Sequence, residues 1–143
     1  MGESRHVEAR WTGALGAIAT AREHQVLVDE PVEVGGRDEG MMPTELMLSA
    51  LASCFCLAVA HVASKRDIEL PGLRVSVDGE RVGRELRYGR LRVEVAAHAG
   101  EHDLDALVAR AKPFCWVSNM LSDELDVSYC TAVLPDMEPT DAH

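Results

Sequence analysis

Alternating polar and apolar residues mark both ends of the chain as strand-forming. Residues 6–11 alternate in this way, and residues 25–28, which read Gln-Val-Leu-Val, form a β-branched run that is followed by Asp-Glu-Pro. In the second half, residues 73–77 and 91–95 carry an apolar side chain at every second position. A period of two predicts strands with one buried and one wet face, as in antiparallel sheets covered on one side. The Ala/Gly-rich segment 13–21 cannot be assigned from propensity alone.

A long stretch of small and apolar residues predicts one central helix from Pro43 to about Lys65 or Arg66. Pro43 suits the first helical position, and Glu45 lies in the first turn, where the helix dipole favours an acid. Residues 46–64 contain no Asp, Glu, Lys or Arg, which approaches the length of a membrane span. Because this run is rich in Ala, Ser and Cys and has no flanking Trp or Tyr, we expect a helix buried on most sides and no membrane partner.

A shorter helix is predicted after Asp103, whose side chain can cap it. Four apolar residues share one face of this helix: Leu104, Leu107, Val108 and Ala111. Pro113 interrupts it, and residues 127–133 resemble a final strand. The order of strands, long helix, strands and helix predicts an α+β fold in one domain over residues 1–143. We expect its polar end, from about residue 135 to 143, to be frayed.

The net charge indicates which classes of partner to expect, and the N-terminal segment indicates the cellular compartment. The 143 residues carry 24 acids against 14 bases, a net charge of −10, which disfavours nucleic acid and anionic membranes because both need a cationic surface. Residues 1–10 are charged and show no apolar secretory signal. We therefore expect a cytoplasmic protein whose four cysteines are reduced.

Two cysteine-containing segments carry the most specific signal. Residues 40–54 read GMMPTELMLSALASC, and residues 111–121 read AKPFCWVSNML. Together they resemble the two motifs of the OsmC/Ohr superfamily, and the strand-rich ends extend the resemblance over nearly the whole chain. The resemblance implies an OsmC-like fold, with antiparallel sheets around a long central helix, in an intertwined homodimer.

The resemblance also implies a chemistry. Cys54 would attack an organic hydroperoxide as its thiolate, and Cys115 would condense with the resulting sulfenic acid to a disulfide. An external thiol would then reduce the pair, so the predicted partners are the second subunit, the hydroperoxide and the thiol reductant. Neither a cofactor nor a metal is implied.

The groups that would activate the thiolate fit the family less closely. The peroxidase branches of the family pair an Arg with an acid ten residues before the reactive cysteine, whereas Glu45 lies nine before Cys54. Nine helical residues place Glu45 on the opposite side of the helix, roughly 13 Å along it, which excludes direct help within one chain. Arg37 is the nearest Arg candidate, and Arg10 and Arg22 are alternatives.

Other thiols and histidines give weaker signals. Cys56 faces about 200° away from Cys54 around the helix, which favours packing, and Cys130 alternates within a strand as a core residue. His61 is interpreted as a core histidine or as a second residue of the Cys54 groove. A metal site is disfavoured because Cys-x-Cys on a helix splays its sulfurs apart. The alternative function is a non-enzymatic dimer that binds an apolar small molecule or senses redox state.

Overall fold

Residues 2–137, the part of the chain that the computed structural model describes, form two three-stranded sheets and three α-helices. The α+β fold class is confirmed. The chain divides into two compact units, one that ends at Met47 and one that begins at Leu48. Most of the expected frayed tail, residues 138–143, lies outside the described residues.

The first unit contains an antiparallel meander in the order β1-β2-β3. Its strands are β1 (Glu8–Gly13), β2 (Gly16–Ala21) and β3 (His24–Val28). Most of the unassigned Ala/Gly-rich segment, Gly16–Ala21, is therefore the central strand of this sheet. Tertiary pairing decides its structure, because strands on both sides satisfy its backbone where its side chains give no strand propensity.

The glycine loop that follows β3 is held by one buried carboxylate. Asp29 is 3% exposed and accepts hydrogen bonds from the backbone N–H groups of Glu30 (2.8 Å), Arg37 (3.3 Å) and Glu39 (3.3 Å). Burial by itself raises the pKa of this carboxyl, but these hydrogen bonds and the Arg37 charge outweigh it and lower the pKa. Gly40 is required, since a Cβ there would lie 2.2 Å from the Leu27 carbonyl oxygen.

Helix α1 (Pro43–Ser64) ends close to where the sequence predicts. Glu45 accepts the backbone N–H of Met42 at 2.9 Å, the reciprocal half of a capping box. At the other end, the Arg66 guanidinium donates to the Val62 carbonyl at 3.1 Å. Both charged residues thus satisfy backbone groups that the helix itself leaves unpaired.

One side of α1 packs into the core, and six residues carry that contact: Leu51, Phe55, Ala58, Val59, Val62 and Ala63. The opposite side is exposed, with Leu57 71% accessible in the single chain. The expectation of a helix buried on most sides is therefore wrong for one chain. By length and composition α1 is the one described helix that could cross a membrane, a test that the core helix of a soluble protein also passes.

The second unit contains a sheet in the order β4-β5-β6, formed by β4 (Arg74–Arg81), β5 (Tyr88–Ala97) and β6 (Asp126–Val133). Strands β4 and β5 are antiparallel as expected, but β6 pairs with β5 in parallel. Helices α2 (Leu104–Ala111) and α3 (Trp116–Asn119) lie between β5 and β6, and a parallel pair requires a connection of this length.

The turn between β4 and β5 comprises residues 82–87. Strand β4 continues through the Asp78-Gly79 sequence, and the Val82 N–H closes the turn on the Arg87 carbonyl at 3.2 Å. Gly79 lies within β4 and not in the turn. The absence of a side chain there makes room for the Tyr88 ring, because a Cβ on residue 79 would lie 3.0 Å from it. The predicted cap of α2 is confirmed, since Asp103 accepts the Ala106 N–H at 3.1 Å.

Candidate functional site

Cys54 lies at the edge of the buried side of α1. Its neighbour Phe55 is fully buried, so the Phe55 side chain points into the core. The Cys54 side chain points about 100° away from it around the helix axis. Cys54 is therefore only partly buried, and it packs against the core cluster. Ser53 is committed to its own helix, where its hydroxyl lies 2.8 Å from the Ser49 carbonyl and 3.2 Å from that of Ala50. The position therefore offers a thiol that is packed on one side and reachable on the other.

Cys115 lies in a break between two short helical segments. The 3-10 turn Lys112–Phe114 contains Pro113, and Cys115 then takes an extended conformation as the N-cap of α3. Its side chain is 0% exposed and belongs to the hydrophobic core cluster. Its carbonyl accepts two hydrogen bonds at 3.1 Å, from the Ser118 hydroxyl and the Asn119 N–H. The backbone at this thiol is thus fixed by local contacts.

The two predicted thiols share one hydrophobic cluster in the second unit, although 60 residues separate them in the sequence. Cys115 is one of its buried members, and Cys54 packs against it from α1. Helix α1 also contacts the Cys115 segment through His61. The centre of its ring lies 5.5 Å from that of Phe114, the residue before Cys115. His61 is exposed, so its interpretation as a core histidine is wrong. It contacts the Cys115 segment instead.

Tyr129 also packs against this cluster, although no sequence motif marks it. Its ring lies 5.1 Å from that of Phe55, and the Lys112 ammonium lies 4.4 Å from its ring centre. Burial raises the pKa of the Tyr129 phenol, against the opposing effect of a hydrogen bond with the Ser118 side chain; the nearby Cys115 thiol also raises it. The alternation along β6 was the available signal, since it places Tyr129 on the same face as Val127.

The two supporting candidates belong to the first unit. Glu45 caps α1 through the Met42 N–H, which is the dipole-favoured role of a first-turn acid. The backbone N–H of Arg37 binds Asp29, and its positive charge helps lower the pKa of that carboxyl. Each residue therefore has a local structural partner, and their predicted roles beside Cys54 stay predictions.

The other two cysteines have different surroundings. Cys56 is partly buried on α1. Cys130 is also only partly buried, so its interpretation as a core residue is wrong: Arg92 donates to its sulfur at 3.7 Å, and its thiol lies 3.8 Å from a Glu94 carboxylate oxygen. The hydrogen bond with Cys130 is the main cause that raises the pKa of Arg92. Over residues 2–137 no three His, Cys, Asp or Glu side chains converge as a metal site.

Comparisons with known proteins agree on one family. The family model described as OsmC-like protein matches residues 36–129. An OsmC-like protein from Mycoplasma pneumoniae superposes with a TM-score of 0.83 at 17% identity, over 94% of this chain and 100% of that one. An organic hydroperoxide resistance protein OsmC from Legionella pneumophila superposes with a TM-score of 0.69 at 24% identity, over 92% and 98%.

One curated relative also matches in sequence. The uncharacterized protein YmaD of Bacillus subtilis is 25% identical over 76 residues, which cover 52% of this chain. The chain spans about half the length of that relative, 51%. At these identities the solved structures show the fold alone.

Proposed function

Since the chain belongs to the family of OsmC-like proteins, we propose that it is a thiol peroxidase that reduces organic hydroperoxides through Cys54 and Cys115. One observation carries the proposal. Cys54 is partly accessible, Cys115 is fully buried, and both pack in the same hydrophobic cluster. The accessible thiol is suited to meet a peroxide, and the buried one is suited to react only with its protein partner.

The reaction balances with a thiol reductant. The Cys54 thiolate attacks one peroxide oxygen, the O–O bond breaks, and the leaving alkoxide takes a proton to become the alcohol. Cys54 is now a sulfenic acid, oxidised by two electrons. The Cys115 thiol attacks this sulfur, the S–S bond forms, and water leaves. Two external thiols then reduce the disulfide and are themselves oxidised to a disulfide.

The apolar surroundings of Cys54 favour an organic substrate over hydrogen peroxide. The cluster beside it consists of aliphatic and aromatic side chains such as Leu51, Phe55 and Val59. Burial of an alkyl or aryl group against such residues adds binding free energy that hydrogen peroxide cannot gain. The proposed setting is the cytoplasm, where thiol reductants also keep the four free cysteines reduced.

We propose further that the active form is a homodimer. Several large apolar side chains are exposed in the single chain, among them Leu57, Trp116 and Met120 of the second unit and Trp11 of the first. Leu57 stands on the free face of α1, which carries no Asp, Glu, Lys or Arg from Leu46 to Ser64. Uncharged surface of this kind marks an interaction site.

The deciding experiment treats reduced protein with one equivalent of cumene hydroperoxide and maps thiols and disulfides by non-reducing peptide mass spectrometry. We expect a Cys54–Cys115 disulfide within seconds and one equivalent of cumyl alcohol. Cys54→Ser should abolish peroxide consumption. The matched control is Cys56→Ser, on the same helix, which should consume peroxide at the wild-type rate. Cys115→Ser should consume one equivalent and retain a sulfenate or over-oxidised Cys54.

Three results would contradict the proposal. Turnover in Cys54→Ser would show that another thiol reacts. Equal losses in Cys54→Ser and Cys56→Ser would point to structural damage in α1. Four unreacted thiols in the wild-type protein would instead favour the binding of an apolar small molecule by the same fold.

A further inference from the structure

The outer face of the second sheet carries a cysteine beside two charged side chains. Strand β5 turns Leu91 and Val93 into the core, so the residues that alternate with them point to the opposite face of the sheet. Arg92 and Glu94 therefore lie on that outer face, and Cys130 joins them because it pairs with Glu94 in the register of β5 and β6. These three residues are called the Cys130 cluster below.

Both charged groups of the Cys130 cluster contact the sulfur. The Arg92 guanidinium donates to Cys130 Sγ at 3.7 Å, and the thiol lies 3.8 Å from a Glu94 carboxylate oxygen, which can accept its proton. Arg92 and Glu94 also form an ion pair at 3.7 Å, so each helps to hold the other beside the sulfur. A thiol attacks as its thiolate, and a cation in contact with the sulfur stabilises that negative charge. The cluster thus combines a nucleophile, an acceptor for its proton and a cation for the resulting anion.

The other three cysteines of the chain lie on the core side of this sheet. Cys115 is fully buried in the core cluster, and Cys54 packs against the same cluster from α1, the helix that also carries Cys56. Helix α1 packs against the core-facing side chains of β5, so the sheet separates these thiols from Cys130. An oxidised Cys130 therefore needs a sulfur partner from outside the chain.

The lengths of the side chains favour a small partner. Side chains stand roughly perpendicular to a sheet, and those of Arg and Glu are longer than that of Cys. The Cys130 sulfur is partly buried, whereas the Arg92 and Glu94 side chains beside it are 61% and 44% exposed. The sulfur therefore lies below two charged groups that extend into solvent. A small molecule can enter between such groups more readily than a disulfide on the surface of a folded protein.

We propose that Cys130 is a site of reversible modification by a low-molecular-weight disulfide, and that Arg92 stabilises its attacking thiolate. The thiolate attacks one sulfur of the small disulfide, a new S–S bond forms, and the original S–S bond breaks. The leaving thiolate takes up the proton that Cys130 has lost. The products are one mixed disulfide and one small thiol, so no further oxidant is needed, and a second small thiol reverses the step. Neither thiol of the proposed peroxidase takes part.

Three variants test the cluster. Cys130→Ser removes the nucleophile, Arg92→Gln removes the positive charge, and Arg92→Lys keeps it. The matched control is Arg90→Gln, because Arg90 lies on the same face of β5 and is also 61% exposed, but pairs with Asp126 at 3.1 Å. Thermal unfolding of each variant confirms that it is folded before rates are measured.

The measurement follows the mixed disulfide at each cysteine after excess glutathione disulfide is added to reduced protein. Samples are quenched in acid and digested at acidic residues. This digestion separates Cys115 from Cys130, since Asp123, Glu124 and Asp126 lie between them, and mass spectrometry then assigns each adduct. We expect a glutathione adduct at Cys130 that dithiothreitol removes. In Cys130→Ser this adduct should be absent.

The rates at Cys130 test the role of the cation. Arg92→Gln should slow formation of the adduct roughly three- to tenfold, the range for one lost hydrogen bond at an exposed site. Arg92→Lys should be slowed less, because it keeps a positive charge near the sulfur. Arg90→Gln should react at the wild-type rate, since Arg90 removes the same charge from the same face without a contact to Cys130.

Four results would overturn the proposal. They are a wild-type chain without an adduct at Cys130, an Arg92→Gln rate equal to that of wild type, equal slowing in Arg92→Gln and Arg90→Gln, and an Arg92→Lys rate as low as that of Arg92→Gln. A disulfide that joins Cys130 of two chains would also contradict it, because the small disulfide would then act only as an oxidant. Failure of the wild-type thiols to react with cumene hydroperoxide would refute the peroxidase and leave this proposal standing.

Discussion

At the scale of single residues, Asp29 shows how a buried charge can order a loop. Its carboxylate accepts three backbone N–H groups, from positions one, eight and ten residues further along the chain. Because a glycine-rich segment loses much conformational entropy on folding, it needs such fixed contacts to hold one structure. The loop leads directly into α1, so Asp29 supports the segment before the helix that carries Cys54.

We predict that Asp29→Asn lowers the Tm by several degrees. An amide can accept through one oxygen only, and its NH2 group would face backbone N–H donors, so at least one hydrogen bond is lost and a donor is left unsatisfied. Circular dichroism melts of the two proteins give the difference. Asp38→Asn is the matched control, since Asp38 is an exposed acid of the same loop with a φ of 54° that Asn tolerates. A loss as large in the control would assign the effect to net charge.

The same residue gives a pH dependence with a defined sign. The pKa of Asp29 is lower in the folded chain than its ordinary value of 3.8, so the folded state binds its proton less readily than the unfolded state. The stabilisation from its ionised form is then fully present above pH 3.8 and is lost as the pH falls through the lower folded pKa. We expect the Tm difference between wild type and Asp29→Asn to be constant near neutral pH and to shrink below pH 3.8. A difference that grows in acid would contradict this.

At the scale of elements, the first turn of α1 contains Glu45, which can act either as a helix cap or as a catalytic acid. Its carboxylate oxygen accepts the Met42 N–H, a role that a neutral amide can also perform. We predict that Glu45→Gln keeps both stability and peroxide reduction, whereas Glu45→Ala loses about 1 kcal/mol of unfolding free energy. Urea unfolding and cumene hydroperoxide consumption are measured on both. A Gln variant that is stable but inactive would show that the charge, supplied to a partner subunit or through an intermediary, serves catalysis.

The elements also show how far the sequence determined the fold. Helix α1 was predictable because Pro43, the first-turn acid and the basic end all act locally. Strand β2 was not, since its Ala and Gly residues become a strand only between two partners. The parallel pairing of β6 was also missed, because alternation defines a strand and its faces but not its neighbour or direction.

For the candidate site as well, the sequence predicted what depends on local motifs and not what depends on contacts between distant segments. Cys54 and Cys115 were found from two motifs, and both belong to or pack against one hydrophobic cluster in the structure, while their role as a reacting pair stays a prediction. Tyr129 was not found, because its contacts with Phe55 and Lys112 bring together three separate segments. Cys130 was misassigned to the core because period-two alternation does not state which face of β6 is covered.

At the scale of the whole molecule, the side of α1 that faces away from the core is an apolar surface that remains exposed in the described part of the single chain. Leu57 is 71% exposed there, and Trp116 is 76% exposed in the segment after Cys115. Side chains of this size gain about 1.5–3 kcal/mol each when they are fully buried, so a second subunit that covers them stabilises the assembly. The proposed homodimer would thus cover surface close to both cysteines along the chain.

We predict that Leu57→Glu converts the protein from a dimer to a monomer, because it places a charge in an interface that would have to desolvate it. Sedimentation velocity at micromolar concentration gives the mass directly. Leu86→Glu is the matched control, since Leu86 is 96% exposed at the β4–β5 turn and belongs to no apolar face. It should sediment as a dimer. If Leu57→Glu also remains dimeric, the interface lies elsewhere, and if wild type sediments at the mass of one chain, the proposed dimer is wrong. Peroxide consumption by a monomeric Leu57→Glu would further show whether the Cys54–Cys115 pair works within a single chain.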